Sequence, residues 1–350
     1  MARITITEGK PERPHLTGAA SAVLDVRDLH VSFRTEEGVV QAVRGVDLEV
    51  YEQEILGIVG ESGSGKSVTM LAVMSLLPKT AKVTGSALFR GEELLGLKPR
   101  QARAYRGSKI AMIFQDPLTA LNPVHRVGVQ IAEAITAHDP KRRREEVQRR
   151  VVELLDLVGI PQPDLRARQY PHEFSGGMRQ RAMIAMAIAN DPDVLIADEP
   201  TTALDVTIQA QILEVLKTVQ EATRTAIVLI THDLGVIARL ATRVQVMYAG
   251  RTAEIAGTEE LFARPRHPYT SGLLRSLPKL DRTGDERLVP IPGSPPSMLA
   301  PPPGCAFHTR CPYAQELCHQ EVPPLRPIEF EQLAACHFAD DLDLRVESSE

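Results

Sequence analysis

Between Ile55 and Leu77 the chain reads as strand, glycine loop and helix in immediate succession, which confines it to folds built around a buried parallel sheet. Ile55, Leu56, Ile58 and Val59 form a short apolar run bounded by Gly60, the pattern of a strand covered on both faces. Gly60-Glu61-Ser62-Gly63-Ser64-Gly65-Lys66-Ser67 then satisfies G-x-x-x-x-G-K-S/T at every fixed position. Val68, Leu71, Ala72 and Leu76 continue at helical spacing, and Pro78 is expected to stop the helix. Glycines let backbone N–H groups close around phosphate oxygens, and the helix start adds the positive end of its dipole. In that setting Lys66 reaches the outer phosphates of a nucleotide, and the Ser67 hydroxyl is a ligand for Mg2+.

Bulk properties narrow the partners. A chain of 350 residues can hold more than one domain. A net charge of −5 and a pI near 6.1 give no support to a nucleic-acid or anionic-membrane partner, and 4% aromatics without tryptophan argue against a base-stacking surface. No apolar run approaches the ~18 residues that span a bilayer. The opening MARITITEGKPERPH lacks an apolar signal core, so a cytosolic location is expected. All four cysteines lie at or beyond position 305.

Residues 1–22 read as a polar lead-in. From Val23, VLDVRDLHVSF and VVQAVRGVDLEV flank a Glu-Glu-Gly turn and suggest a small antiparallel sheet, with a further strand pair around Gly85 and Gly91. Phe33 has two readings, a ring stacked on an adenine or a core side chain. The strand Ile110–Phe114 ends at Gln115, at the edge where ligand sites of α/β sheets form. Residues 127–159 look helical, with Asp139-Pro140 as a helix start and Val147, Val151, Leu154, Leu155 and Val158 on one face. Glu145 and Glu146 follow the basic run Lys141–Arg144, which therefore reads as a solvated helix face. Phe174-Ser175-Gly176-Gly177 opens a helix running to about Ala189, and its free N–H groups and hydroxyl make a second anion site. Val194 to Ala197 lead into Asp198-Glu199, which places Asp198 on the Mg2+ side and Glu199 where it can polarise a water. A strand of β-branched residues then delivers His232 to the same edge as a phosphate sensor.

In this order the residues resemble the ATPase subunits of ABC transporters, over roughly residues 23–260. The resemblance rests on the P-loop 60–67, a Q-loop at Gln115, the signature FSGGM at 174–178, the Walker B segment 194–199, the D-loop Ala203-Leu204-Asp205 and the H-loop His232. The signature carries Phe and Met where the family usually has Leu and Gln. The resemblance implies an α/β, P-loop NTPase ABC ATPase core, with a mixed sheet and an antiparallel β subdomain, over 23–116 and 191–260. It also implies an inserted helical subdomain over 117–190 and a C-terminal extension over 261–350. ATP is implied to contact Phe33, Gly60, Ser62, Gly63, Ser64, Gly65, Lys66, Ser67 and Val68. A partner subunit, joined head-to-tail, adds Ser175, Gly176, Gly177 and Asp205. Mg2+ falls to Ser67, Gln115 and Asp198, and catalysis to Glu199, His232 and Gln115.

The tail narrows the likeness. HPYTSGLL at 267–274, IPGSPPSMLAPPPG and CAFHTRCPYAQELC resemble the C-terminal extension of oligopeptide/dipeptide and nickel import ATPases. This implies a peripheral subunit on the cytoplasmic face of the cell membrane. It would power uptake of peptides through two transmembrane permease subunits, with a paralogous ATPase and, indirectly, an external solute-binding protein. The alternatives are import of nickel or another small solute, a soluble non-transport ABC ATPase, and a binding module without catalysis. The soluble reading predicts a coiled-coil insertion or tandem cassettes, and Lys66, Glu199 and His232 speak against the last. Cys305, Cys311, Cys318 and Cys336 are separated by five, six and seventeen residues. They admit a disulfide pair, a zinc site, an iron–sulfur centre or a regulatory thiol set. The resemblance implies a four-iron, four-sulfur (4Fe-4S) cluster, with zinc the alternative metal; His308, His319 and His337 are read as bystanders, with substitution for a thiolate as the alternative. The segment around the cysteines shows little apolar periodicity and is expected to hold little core.

Overall fold

The computed structural model describes residues 21–115, 120–202, 205–277, 290–329 and 331–345. Two sheets organise them. Strands β1 (Leu24–Thr35), β2 (Gly38–Val50), β4 (Ala81–Phe89) and β5 (Glu92–Glu93) form an antiparallel sheet in the order β2-β1-β4-β5. The larger sheet adds β3 (Ile55–Val59), β6 (Ile110–Ile113), β7 (Val194–Asp198), β8 (Ala226–Thr231), β9 (Arg243–Tyr248), β10 (Arg251–Gly257), β11 (Arg326–Glu329) and β12 (Gln332–Ala334). Its order is β11-β12-β10-β9-β3-β8-β7-β6, parallel from β9 to β6 and antiparallel from β9 outward through the tail strands.

Alternation explains why β3, β6, β7 and β8 are apolar up to their C-terminal tips. Leu56, Ile58, Val194, Ile196, Val228 and Ile230 face a cluster shared with the antiparallel sheet. Ile55, Val59, Leu195, Ala197, Ile227 and Leu229 face a second cluster filled by helices. Both faces are covered, so no position on these strands can be polar at low cost.

The helices are α1 (Lys66–Val73), α2 (Pro99–Tyr105), α3 (Val127–Thr136), α4 (Arg144–Leu157), α5 (Pro163–Arg166), α6 (Gly176–Ala187), α7 (Val206–Thr223), α8 (Leu234–Leu240), α9 (Thr258–Ala263), α10 (Pro268–Arg275) and α11 (Glu316–Gln320). Three differ from the sequence expectation. Helix α1 ends at Val73, because Ser75 takes a left-handed φ of 51°, so Pro78 does not stop it and Leu76 is exposed. Helix α4 begins at Arg144, since Arg143 is still extended, and Glu145 and Glu146 fall in its first turn, where the dipole favours acids. Asp139-Pro140 therefore does not start it. Helix α6 stops at Ala187, short of Ala189.

The tail is better seated than its weak periodicity suggests. Strand β12 pairs with β10 (Glu254↔Ala334, Ile255↔Leu333), and Tyr269, Leu274 and Phe307 join the helix-side core. Among the described residues no helix is long and apolar enough to cross a membrane.

Candidate active site

The parallel register brings the predicted groups to one edge. Val59 lies beside Thr231, and Asp198 beside Ile230, so the exits of β3, β7 and β8 are neighbours. At the first of these exits Gly60 has φ 153°, and a Cβ there would fall 2.1 Å from the Met247 carbonyl oxygen. Gly65, left-handed at φ 100°, caps α1 and has no room for a side chain against the Ala42 carbonyl, 2.6 Å away. The two glycines are thus sterically required. Ser64 is buried and Ser62 and Gly63 are exposed on the loop's outer side. Val68 is half-buried against the antiparallel-sheet cluster. Lys66 curls back under the loop, its Nζ donating to the carbonyls of Gly60 (2.7 Å) and Glu61 (3.0 Å). Burial pulls its pKa down, against the opposing pull of Glu199, Asp198 and Glu61.

Ser67 Oγ donates to Asp198 Oδ1 at 2.8 Å. Burial raises the Asp198 carboxyl above its ordinary range, the Glu199 charge adds to this, and Ser67 and Lys66 oppose it. A buried carboxylate beside a hydroxyl is a hard-oxygen donor pair that fits Mg2+, and their own hydrogen bond is what that ion would replace.

Glu199 is the convergence point. Its backbone sits at a left-handed φ of 47°, held by its N–H on the Ile230 carbonyl. Thr202 Oγ1 (2.8 Å) and Gln115 Nε2 (3.0 Å) donate to its Oε2, and His232 Nδ1 lies 3.3 Å from Oε1. Partial burial pushes this carboxyl up, but the Thr202 and His232 hydrogen bonds and the nearby positive charges outweigh it and leave it below its usual value. The carboxylate is therefore ionised at neutral pH. Gln115 reaches Glu199; among the described residues it makes no hydrogen bond to Asp198 or Ser67, the other two residues assigned to Mg2+.

Other predicted residues are not drawn to this edge. Ser175 is exposed and caps α6, accepting from the Met178 N–H at 3.3 Å; Gly176 is exposed, and Gly177 packs where a Cβ would meet Ile208 at 2.8 Å. Among the described residues none of the three shares a hydrogen bond with residues 60–67. Asp205 is exposed and caps α7 through the Ile208 N–H, 2.9 Å away, while Ala203 and Leu204 lie outside the described residues. Phe33, on β1 between Val40 and Ala81, is half-buried against the antiparallel-sheet core.

Sequence reading missed Thr202, which carries no motif signal apart from its place after Glu199. It also missed the partners of Glu61, whose N–H is bound by Tyr269 and whose carboxylate is bound by Arg310, both from the tail. The four cysteines line one small pocket with Phe307 and His308. Burial raises the thiols of Cys305, Cys311 and Cys336, that of Cys311 to about 11 and that of Cys336 to about 12. Among the described residues no three His, Cys, Asp or Glu side chains are grouped so as to hold a metal ion. A single zinc needs its sulfurs within about 4 Å of one another. His308 and His337 each lie within hydrogen-bond distance of a backbone carbonyl, those of Cys305 (2.8 Å) and Glu321 (3.0 Å).

Comparison with known proteins agrees with this geometry. Residues 43–202 match the ABC transporter family model, and residues 253–318 the oligopeptide/dipeptide transporter C-terminal region. The dipeptide transport ATP-binding protein DppD of Bacillus subtilis is 55% identical over 303 residues, covering 86% of this chain and 90% of that protein. The oligopeptide transport ATP-binding protein OppD of Escherichia coli is 49% identical over 317 residues, covering 91% and 93%. The OppD of Mycobacterium tuberculosis is 54% identical over 316 residues, 90% of this chain but 52% of that protein, so the chain spans about half the length of that relative. Among solved structures, the cassette MJ0796, a dimer in a post-hydrolysis state with ADP and Pi, aligns at TM-score 0.60 and 26% identity, covering 67% of this chain and 98% of that one. From its phosphate-binding loop to the end of its tail signature, the chain belongs to the ATP-binding proteins of the ABC transporter family, in the oligopeptide/dipeptide branch.

Proposed function

We propose that the chain binds and hydrolyses ATP as the motor subunit of an ABC importer for oligopeptides or dipeptides. The observation that carries this reading is the ionised Glu199 carboxylate, oriented by Thr202, Gln115 and His232 beside the Ser67–Asp198 pair. In this reading Glu199 takes a proton from the attacking water, and His232 and Gln115 hold its carboxylate in line. Lys66 leaves the Gly60 and Glu61 carbonyls for the outer phosphates, and the loop N–H groups bind the rest. Ser67 and Asp198 would hold Mg2+, which when bound would neutralise charge on the phosphates. Phe33, half-buried near the end of β1, supplies a ring for the adenine.

The exposed Ser175, Gly176 and Asp205 complete a second subunit's site rather than this chain's own, so two ATPases, here a paralogous pair, close over shared nucleotides. Phe114, Val124, Val129 and Leu165, between 45% and 71% exposed near the exit of β6 and along the helices, offer an apolar surface to two permease subunits. That contact would hold the protein at the cytoplasmic membrane face, with solute supplied by an external binding protein. The division into core (23–116, 191–260), helical insert (117–190) and extension (261–350) follows these roles.

Convergence of four thiols on one pocket supports a 4Fe-4S cluster on Cys305, Cys311, Cys318 and Cys336. Such a cluster, when bound, would tie four points of the tail together. The raised thiols must lose their protons to ligate it, so its retention should weaken in acid. Anaerobic protein carrying one zinc and no iron would replace this with the zinc reading.

The test of the shared site is Ser175→Arg. It should abolish ATP turnover by the assembled transporter while leaving MgADP binding by the same chain unchanged, as read by calorimetry. A strictly monomeric chain that hydrolyses ATP at the assembled rate would contradict the reading.

A further inference from the structure

We propose that Arg310 and Tyr269 are positioning residues for the phosphate-binding loop. They hold Glu61, and through it the loop's entrance, in the shape that admits nucleotide, and Arg310 neutralises an acid at the mouth of the phosphate site. The inference rests on the reading of residues 60–67 as the ATP site.

Every polar group of Glu61 is engaged. Its N–H donates to Tyr269 Oη at 2.8 Å. Its carbonyl accepts from Lys66 Nζ (3.0 Å) and the Ser64 N–H (3.2 Å). Its carboxylate receives a two-pronged guanidinium, Arg310 Nη1 to Oε2 at 2.7 Å and Nη2 to Oε1 at 3.0 Å. Bidentate pairs of this kind fix orientation as well as charge.

The tail side of this clamp is rigid. The Arg310 side chain is 3% exposed, and its Nε donates to the Pro292 carbonyl at 2.9 Å. Its guanidinium carbon lies 5.8 Å from the Tyr248 ring centre and 5.9 Å from that of Phe307. Tyr269 is fully buried and packs on Tyr248 and Phe307 at 4.5 and 5.4 Å between ring centres. Arg310 cannot leave Glu61 without stranding a buried charge.

The consequence for nucleotide follows from Lys66. It donates to the Gly60 and Glu61 carbonyls, on the segment the tail grips, so a shift of the entrance moves the cation that meets the phosphates. Without Arg310, the Glu61 carboxylate would stand unpaired beside incoming polyphosphate. A purely structural clamp would affect stability alone; a clamp that also balances charge has a separate signature.

The experiment is MgADP titration of the full chain by calorimetry, with KM and kcat for ATP in the assembled transporter. Arg310→Met, which keeps most of the stem, should raise Kd and KM about tenfold with a smaller change in kcat. Adding Glu61→Gln removes the stranded acid and should return Kd most of the way to wild type. Tyr269→Phe, which keeps the ring, should raise Kd about twofold through the lost hydrogen bond. If Arg310→Met does not fold, Arg310→Gln, which is uncharged and lacks the two-pronged geometry, should show the same rise in Kd and the same rescue. An unchanged Kd in the Arg310 variant, or a double variant that binds no better than the single, overturns the inference. A wild-type chain that binds no nucleotide overturns instead the ATP-site reading on which it stands.

Discussion

At the parallel end of the large sheet, β3, β7 and β8 carry Lys66, Asp198, Glu199 and His232 out of adjacent strand tips, and ladder spacing alone sets the groups side by side. At the antiparallel end, β10, β12 and the segment around the cysteines are joined by buried side chains. The fully buried Glu254 accepts from the Arg266 and His267 N–H groups and from Gln332, and Arg310 is sealed on Glu61. The contrast is between positions fixed by backbone and positions fixed by buried polar side chains. A backbone scaffold tolerates loss of the group it presents; a scaffold of buried polar groups does not.

The largest expected effect tests the first half of that contrast. Glu199→Gln keeps the shape and three of the neighbours but cannot take a proton. Turnover of ATP should fall ~100-fold or more, with MgADP affinity and melting temperature close to wild type. Phosphate release and thermal denaturation read the two quantities. A melting temperature that drops sharply would mean that Glu199 supports the fold as Glu254 does, and the contrast would be lost.

The second prediction concerns pH at the other end. Burial pushes Glu254 up from 4.5 to about 7 and pulls His267 down from 6.5 to about 4. For Glu254 the stabilisation is complete below 4.5 and is lost as pH rises through 7. For His267 it is complete above 6.5 and is lost as pH falls through 4. Between 4.5 and 6.5 the folded pair holds one proton on Glu254 and the unfolded pair one on His267, so the slopes cancel. Wild-type stability should be nearly flat there. His267→Asn keeps an acceptor for the Tyr269 N–H at the start of α10 but removes one slope. That variant should lose about 3 kcal/mol between pH 4.5 and 7 in urea unfolding. A variant as flat as wild type would show that the junction does not depend on this buried acid.

The smallest effect separates structure from function at one residue. Asp205 caps α7, so Asp205→Ala should cost about 1 kcal/mol and Asp205→Ser should recover most of it. If Asp205→Ser also restores transporter ATPase, the residue acts through its cap alone; if not, the carboxylate has a second role at the subunit interface.

Much of the site was legible because its signals are local. The apolar run Ile55–Val59 and the glycines at 60 and 65 report backbone states that neighbouring residues impose, and Val194–Asp198 and Ala226–Thr231 announce their strands in the same way. Helix ends were less legible: Ser75 turns α1 out of its path through a left-handed φ that no residue preference signals. Phe33 is half-buried against the core because β4 lies against β1, a pairing no local pattern shows.

By itself the sequence determined the motif order, the doubly covered parallel sheet and the family. The tertiary structure alone decided how the tail is attached. Arg310 and Tyr269 lie 249 and 208 positions from Glu61, and β12 reaches back to β10 across the whole extension. An arginine between a threonine and a cysteine carries no sign of its partner. Which acid it meets depends on how the sheet edge, the aromatic rings of Tyr248 and Phe307 and the glycine loop pack together, and that is settled only when all of them are buried at once.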